Sequence, residues 1–182
     1  MKKVVILASG SGTLARAIFA ADKNYEIAAL ICDRPQAKVI EIAQEFGIKA
    51  EVLELIGDRN IWNQALKELV GKYQPDLVVS AGFMRILAPE FVQSFKVINS
   101  HPALLPLFPG AHAVRDALAA GVTETGTTIH WVDEGVDTGQ VIAQQRIEIT
   151  LGDTEESLHE RIKIIERGLI VATIPQVLAE LK

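Results

Sequence analysis

The sequence predicts an α/β fold: a Rossmann-like, mostly parallel sheet flanked by helices, with an antiparallel strand pair added to it. Three observations carry this. From Lys3 to Ser100, short apolar runs rich in β-branched residues alternate with segments of helical period, the pattern of strands buried on both faces. The glycine loop Ser9-Gly10-Ser11-Gly12-Thr13 follows the first run and opens a helix, where such sheets place a phosphate-binding turn. Nearer the C-terminus, two strand-like runs flank the turn Gly135-Val136-Asp137-Thr138-Gly139, a connection short enough only for antiparallel neighbours.

Taken in order, Lys3 to Leu7 is a strand buried on both faces, and after the glycine loop Leu14, Ala17, Ile18 and Ala21 recur at helical spacing. Glu26 to Cys32 is a second strand, broken by Asp33-Arg34-Pro35 before a helix from Lys38 to Phe46 that Gly47 caps. Ile48 to Leu55 holds a short third strand, Ile61 to Tyr73 a helix, and Leu77 to Ala81 a fourth strand, which Gly82 to Leu87 continues. Pro89 to Phe95 is a short helix and Val97 to Ser100 a fifth strand. Beyond a proline-rich loop, Val114 to Ala120 is a helix, and Thr127 to Val132 and Val141 to Ile149 are the added pair. Asp153-Thr154 opens a last helix with Leu158, Ile162, Ile165, Leu169 and Ala172 as its apolar stripe. Pro175 is expected to kink or divide it, because proline removes a backbone donor and clashes with the preceding turn.

At 182 residues, 49% hydrophobic and 23% charged, the chain is expected to form one domain over residues 1–182 with a substantial core. A net charge of -5, with Lys and Arg scattered rather than clustered, argues against a nucleic-acid surface or a membrane-surface helix and favours small-molecule partners. One cysteine, Cys32, rules out an internal disulfide and a cysteine-based zinc site. The apolar start is interrupted by polar residues from Ser9 to Thr13 and by Arg16, too early for a signal peptide, and no run is long enough to span a bilayer. A cytoplasmic location is the expectation.

The chemistry centres on Asn99-Ser100-His101-Pro102. In extended geometry Asn99 and His101 share a face, and Pro102, Pro106 and Pro109 keep the following loop stiff. Singly, each residue reads as structural. Together, an amide that donates to a developing oxyanion and an imidazole that titrates near neutrality read as a catalytic pair. Asp137 in the later turn supplies the third group, since a carboxylate beside an imidazole favours the imidazolium. His130 alternates with apolar residues and reads as structural or surface, His112 follows the proline loop, and His159 sits on a helix surface.

The glycine loop keeps two readings open. Gly10-Ser11-Gly12-Thr13-Leu14-Ala15, with Asp33 at the end of the second strand, fits a dinucleotide pattern and a small NAD(P)-dependent oxidoreductase. The same donors at a helix start also hold a single substrate phosphate, and on that reading Asp33 is dispensable.

Gly126 to Val141 resembles the signature of folate-dependent formyltransferases, and Asn99-Ser100-His101-Pro102 resembles that superfamily's catalytic strand end. Gly82-Phe83-Met84-Arg85-Ile86-Leu87 and the glycine loop narrow the resemblance to the branch that formylates glycinamide ribonucleotide in purine synthesis, over essentially the whole chain. The resemblance implies the formyltransferase fold, 10-formyltetrahydrofolate as co-substrate, no metal, and a monomer or homodimer. It implies Asn99, His101 and Asp137 as the catalytic trio, and Gly12, Thr13, Leu14 and Glu166 as contacts of the ribonucleotide. It also implies Arg59, Met84, Arg85, Ile86, Leu87, Asn99 and the turn Asp133, Glu134, Gly135, Val136 and Asp137 on the folate side. Leu14 stands where the family usually has asparagine, Ile165 where it has a polar residue, and the chain ends short of the family's usual tail. Another folate-dependent formyltransferase or deformylase shares the trio but normally carries an additional domain.

Overall fold

The computed structural model, which describes residues 1–181, holds a seven-stranded sheet of order β3-β2-β1-β4-β5-β6-β7. Its strands are β1 (Lys3–Ala8), β2 (Glu26–Cys32), β3 (Ala50–Val52), β4 (Leu77–Ser80), β5 (Val97–His101), β6 (Glu124–Trp131) and β7 (Val141–Glu148). The helices are α1 (Thr13–Ala20), α2 (Lys38–Glu45), α3 (Arg59–Gly71), α4 (Pro89–Ser94), α5 (Ala113–Ala119) and α6 (Glu155–Glu180). β1 to β5 pair in parallel, while β5–β6 and β6–β7 are antiparallel. The expected alternation and the added antiparallel pair are both present.

The apolar runs are explained by burial on both faces. In β1, Val4, Ile6 and Ala8 enter one core with Leu30, Val79 and Ile98, covered by α1, α2 and the C-terminal half of α6. Val5 and Leu7 enter the opposite core with Ile31 and Val78, beneath Trp62, Leu66 and Val70 of α3 and Phe91 of α4. Both faces are dry, so no polar alternation is needed.

From central β1 the chain runs outward through β2 to β3, then returns to β4 on β1's other side. The strand order therefore reverses between β1 and β4, and the crevice at their carboxyl ends is where open α/β sheets bind ligands.

Several boundaries differ from the sequence reading, each for a local reason. Only Ala50–Val52 pairs with β2, so the third strand is a short edge segment. Gly82 to Leu87 is a loop rather than an extension of β4, because Gly82 turns the chain at φ +76°. α3 begins at Arg59, where the Asp58 carboxylate accepts from the backbone N–H groups of Asn60 and Ile61. Pro175 lies inside α6 without dividing it. Ala172 is exposed, and the C-terminal half of that helix buries Ile170, Ile174 and Val177 instead.

Candidate active site

The loops at the carboxyl ends of β1, β4 and β5, the β6–β7 turn and one face of α6 enclose a cleft of about 550 Å³. At one end, the glycine loop crosses into α1. Gly12 has φ +75°, and no side chain caps the helix, so its first backbone N–H groups are available to an anion. A Cβ on Gly12 would lie 2.8 Å from the backbone and side chain of Val39, so α2 packs directly on the loop and only glycine fits. Leu14 turns its side chain into the core and offers the cleft little more than backbone. Glu166, Lys163 and His159 line the same cleft from α6.

Glu166 accepts a hydrogen bond from the Ser100 hydroxyl. Burial nevertheless pushes its carboxyl above the ordinary value. Burial, with Lys163 nearby, pushes the His159 imidazole below its own. Lys163 also bonds Glu160, at 2.7 Å.

The centre of the cleft is built on β5 and its antiparallel neighbour. Asn99 and His101 both line it, as extended geometry requires. His101 is 4% exposed. Its Nε2 is 2.8 Å from the carbonyl oxygen of Phe108 and its Nδ1 is 3.3 Å from Oδ2 of Asp137. Both neighbours are acceptors only, so the ring satisfies both when it is the imidazolium.

Asp137 Oδ2 also accepts from the Gly110 N–H at 2.8 Å, and Oδ1 lies 3.5 Å from Nε2 of His130. The hydrogen bond from His130, the Gly110 donor and the charges of the two imidazoles together hold the Asp137 carboxyl below the usual range. Asp137 and Phe108 both have left-handed backbone, φ +54° and +53°. Such a conformation costs a residue with a Cβ on the order of 1–2 kcal/mol, and here it aims the two groups that clamp the His101 ring.

His130 is a correction to the sequence reading, because it is no bystander. The β5–β6 register sets it opposite Asn99, and its Nε2 lies 3.3 Å from Asn99 Nδ2. It is 2% exposed, and its Nδ1 donates to the Trp131 carbonyl at 2.8 Å. His112, by contrast, is exposed at the start of α5 and does not line the cleft.

Met84, Arg85, Ile86 and Leu87 line the far end of the cleft, facing Asp133, Gly135 and Val136 of the turn. Asp133 fixes that turn by accepting from the Gly135 N–H and the Thr138 hydroxyl. A Cβ on Gly139 would meet the Trp131 carbonyl at 1.7 Å, which is why the hairpin closes on glycine. Two residues expected in the site stand outside it. Glu134 turns away to Gln93, and Arg59 donates to the Ile86 carbonyl from behind the loop.

Asp33 does not serve as a ribose-binding acid. Its side chain is 1% exposed, and its Oδ2 takes the Arg85 Nε at 2.6 Å. The dinucleotide reading therefore loses its second half. Among the described residues no three His, Cys, Asp or Glu side chains cluster as metal ligands, and no helix is long and apolar enough to cross a membrane.

A profile of the formyl transferase family matches residues 2–174. The chain is 46% identical over 179 residues to phosphoribosylglycinamide formyltransferase of Mycobacterium tuberculosis, covering 94% of this chain and 83% of that one. It is 41% identical over 186 residues to the enzyme of the same name from Bacillus subtilis, covering 98% and 95%. The crystal structure of glycinamide ribonucleotide transformylase 1 from Symbiobacterium toebii superposes with a TM-score of 0.95 at 35% identity, covering 98% of this chain and 88% of that one. With sequence and fold in agreement over nearly its whole length, the chain belongs to the formyl transferase family.

Proposed function

We propose that this chain transfers the formyl group of 10-formyltetrahydrofolate to the amino group of 5'-phosphoribosylglycinamide. The observation that carries the reading is the convergence of Asn99, His101 and Asp137, from β5 and the β6–β7 turn, on a cleft whose other end is an uncapped helix start. The phosphate docks on the N–H groups after Gly12, with Ser11, Thr13 and Lys163 around it. Glu166 sits between this end and the centre, where it accepts from a ribose or amine donor. The folate lies against Met84, Ile86 and Val136, an apolar rim open to solvent, with the buried Leu87 lining the cleft behind it.

The neutral amine attacks the formyl carbon, and negative charge gathers on the formyl oxygen. Asn99 Nδ2 and the Nδ1–H of protonated His101 donate to it. Nδ1 faces Asp137 at 3.3 Å as an ion pair and not as an aligned hydrogen bond, so its proton is open to the formyl oxygen. One such donor is worth about 3 kcal/mol of barrier. As the tetrahedral intermediate collapses, the bond from the formyl carbon to the folate nitrogen breaks, and that nitrogen takes a proton while the former amine loses one. A water beside His101 and the ionised Asp137 relays it. The products are the formamide of the ribonucleotide and tetrahydrofolate, so no net proton is gained or lost.

The test is a formyl-transfer assay with both substrates, read by the ultraviolet change on loss of the formylfolate. Tetrahydrofolate is expected only when the ribonucleotide is present. No transfer, or equal turnover with water alone, would overturn the reading.

A further inference from the structure

We infer that Asp33 is a positioning residue for the folate side of the cleft, acting through Arg85; the inference rests on the formyl-transfer reading above. Asp33 is the first residue after β2 and Arg85 lies in the loop after β4, so their 2.6 Å ion pair crosses the end of the central strand β1. The two partners are unequal. Asp33 follows directly on the buried strand end Ile31-Cys32 and its own side chain is 1% exposed, whereas the Arg85 side chain is 30% exposed on a loop. The carboxylate is therefore the anchor and the loop is what it holds.

The same loop is tied at two other points. Ser9 accepts from the Met84 N–H through its hydroxyl, at 2.9 Å, and donates its own N–H to the Gly82 carbonyl. Arg59 reaches the Ile86 carbonyl from α3. Those ties fix the backbone, and Phe83 and Leu87 pack into the core beneath α3 at either end of the loop; between them, among the described residues, Asp33 is the partner that bonds a side chain of the loop, and it draws Arg85 inward. Met84 and Ile86, on either side of Arg85, are each left 64% exposed at the cleft mouth. With Arg85 turned inward to Asp33, its two neighbours are the side chains the loop presents to the cleft, so the ion pair sets the orientation of the folate rim.

Stability alone is a poor account of the pair. Oδ1 of Asp33 is buried with no hydrogen-bond partner among the described residues, and a half-satisfied buried carboxylate is a stability cost rather than a gain. The geometry at Oδ2 is what the fold retains.

The experiment measures steady-state kinetics with both substrates and calorimetric binding of 5-formyltetrahydrofolate, a folate whose formyl group is not transferred. The proteins are wild type, Asp33→Asn, Arg85→Met, Arg85→Lys and the double variant Asp33→Asn/Arg85→Met. Each of Asp33→Asn and Arg85→Met is expected to raise the folate KM and weaken 5-formyltetrahydrofolate binding at least fivefold, with the ribonucleotide KM within twofold. Arg85→Lys is expected to recover part of the loss, and the double variant to be no worse than the worse single. Should Asp33→Asn fail to fold, the two Arg85 variants, at the more exposed partner, decide the same question. Unchanged folate parameters, equal losses toward both substrates, or losses that multiply in the double variant would overturn the inference. A wild type that neither binds the folate nor transfers its formyl group would overturn the parent reading together with this one; a wild type that does both, with variants matching it, overturns this one alone.

Discussion

Nδ1 of His101 lies 3.3 Å from Oδ2 of Asp137, while the far side of the same ring is tied to the Phe108 carbonyl. The imidazole is thus oriented from behind, and its Nδ1 edge, beside the Asp137 carboxylate, is the one left for the cleft. On the proposed mechanism Asn99, two residues earlier on the same strand, supplies the second donor.

His101→Ala and Asn99→Ala are therefore expected to lower kcat by about 10²–10³, the usual cost of losing one preorganised donor to an oxyanion. Both variants should melt as single cooperative transitions, since neither side chain carries the hydrophobic core. Turnover within threefold of wild type in either variant would remove that residue from the mechanism.

Asp137→Asn separates charge from shape. The native carboxyl is held below its ordinary value, first by the hydrogen bond from His130 and then by the Gly110 N–H and the nearby imidazoles. A carboxyl whose folded pKa is depressed adds stability above its unfolded pKa of about 4, and loses it as pH falls through the folded value. The variant is expected to melt below wild type at neutral pH, with the gap closing below about pH 4. A gap that persists unchanged into acid would show that the charge contributes nothing.

Glu166 is shifted the other way, its carboxyl held above the ordinary value by burial. A carboxyl whose folded pKa is raised keeps its full stability below the unfolded value and loses it as pH rises through the folded one. Glu166→Gln preserves the shape and still accepts from Ser100. It should melt above wild type at pH 7, with the advantage vanishing below about pH 4. The ribonucleotide KM should meanwhile rise about tenfold, the worth of a hydrogen bond to a charged group. A stabilised variant with unchanged KM would leave Glu166 no substrate contact.

The fold was largely legible because β1, β2 and β4 are buried on both faces and advertise it as unbroken apolar runs. The lining of the cleft was legible where it is local in sequence: Asn99 with His101, the glycine loop, and the turn carrying Asp137. It was not legible where strand pairing makes it. Alternation marks His130 as part of a strand, but only the antiparallel register of β5 with β6 sets it opposite Asn99. His159 and Lys163 did leave a signal, for they precede Glu166 by seven and three residues and so share its helix face. Asp33 was read as dispensable on the phosphate reading because nothing in the sequence announces that a residue 52 positions away will claim its carboxylate.

The glycine loop gives the sharpest separation of the two ends of the cleft. Gly12 sits at φ +75°, and any Cβ there would meet Val39 of α2 at 2.8 Å. Gly12→Val combines a left-handed backbone that a β-branched residue resists with an overpacked contact, together costing about 2–4 kcal/mol of stability. Relief comes by moving the loop away from α2, which displaces the N–H groups that receive the phosphate. The expected result is ribonucleotide binding weakened at least tenfold, while binding of 5-formyltetrahydrofolate stays within twofold, since the folate rim is built on the loop after β4 and the β6–β7 turn. Gly10→Ala, where a Cβ meets nothing within 4 Å, should melt like wild type and show that loop substitution as such is tolerated. Calorimetric titration of Gly12→Val with each ligand decides the matter, at a temperature where circular dichroism shows it folded. Equal losses for both ligands would mean that the loop supports the whole cleft rather than holding the phosphate, and measurable NAD binding by wild type, abolished in the variant, would restore the dinucleotide reading.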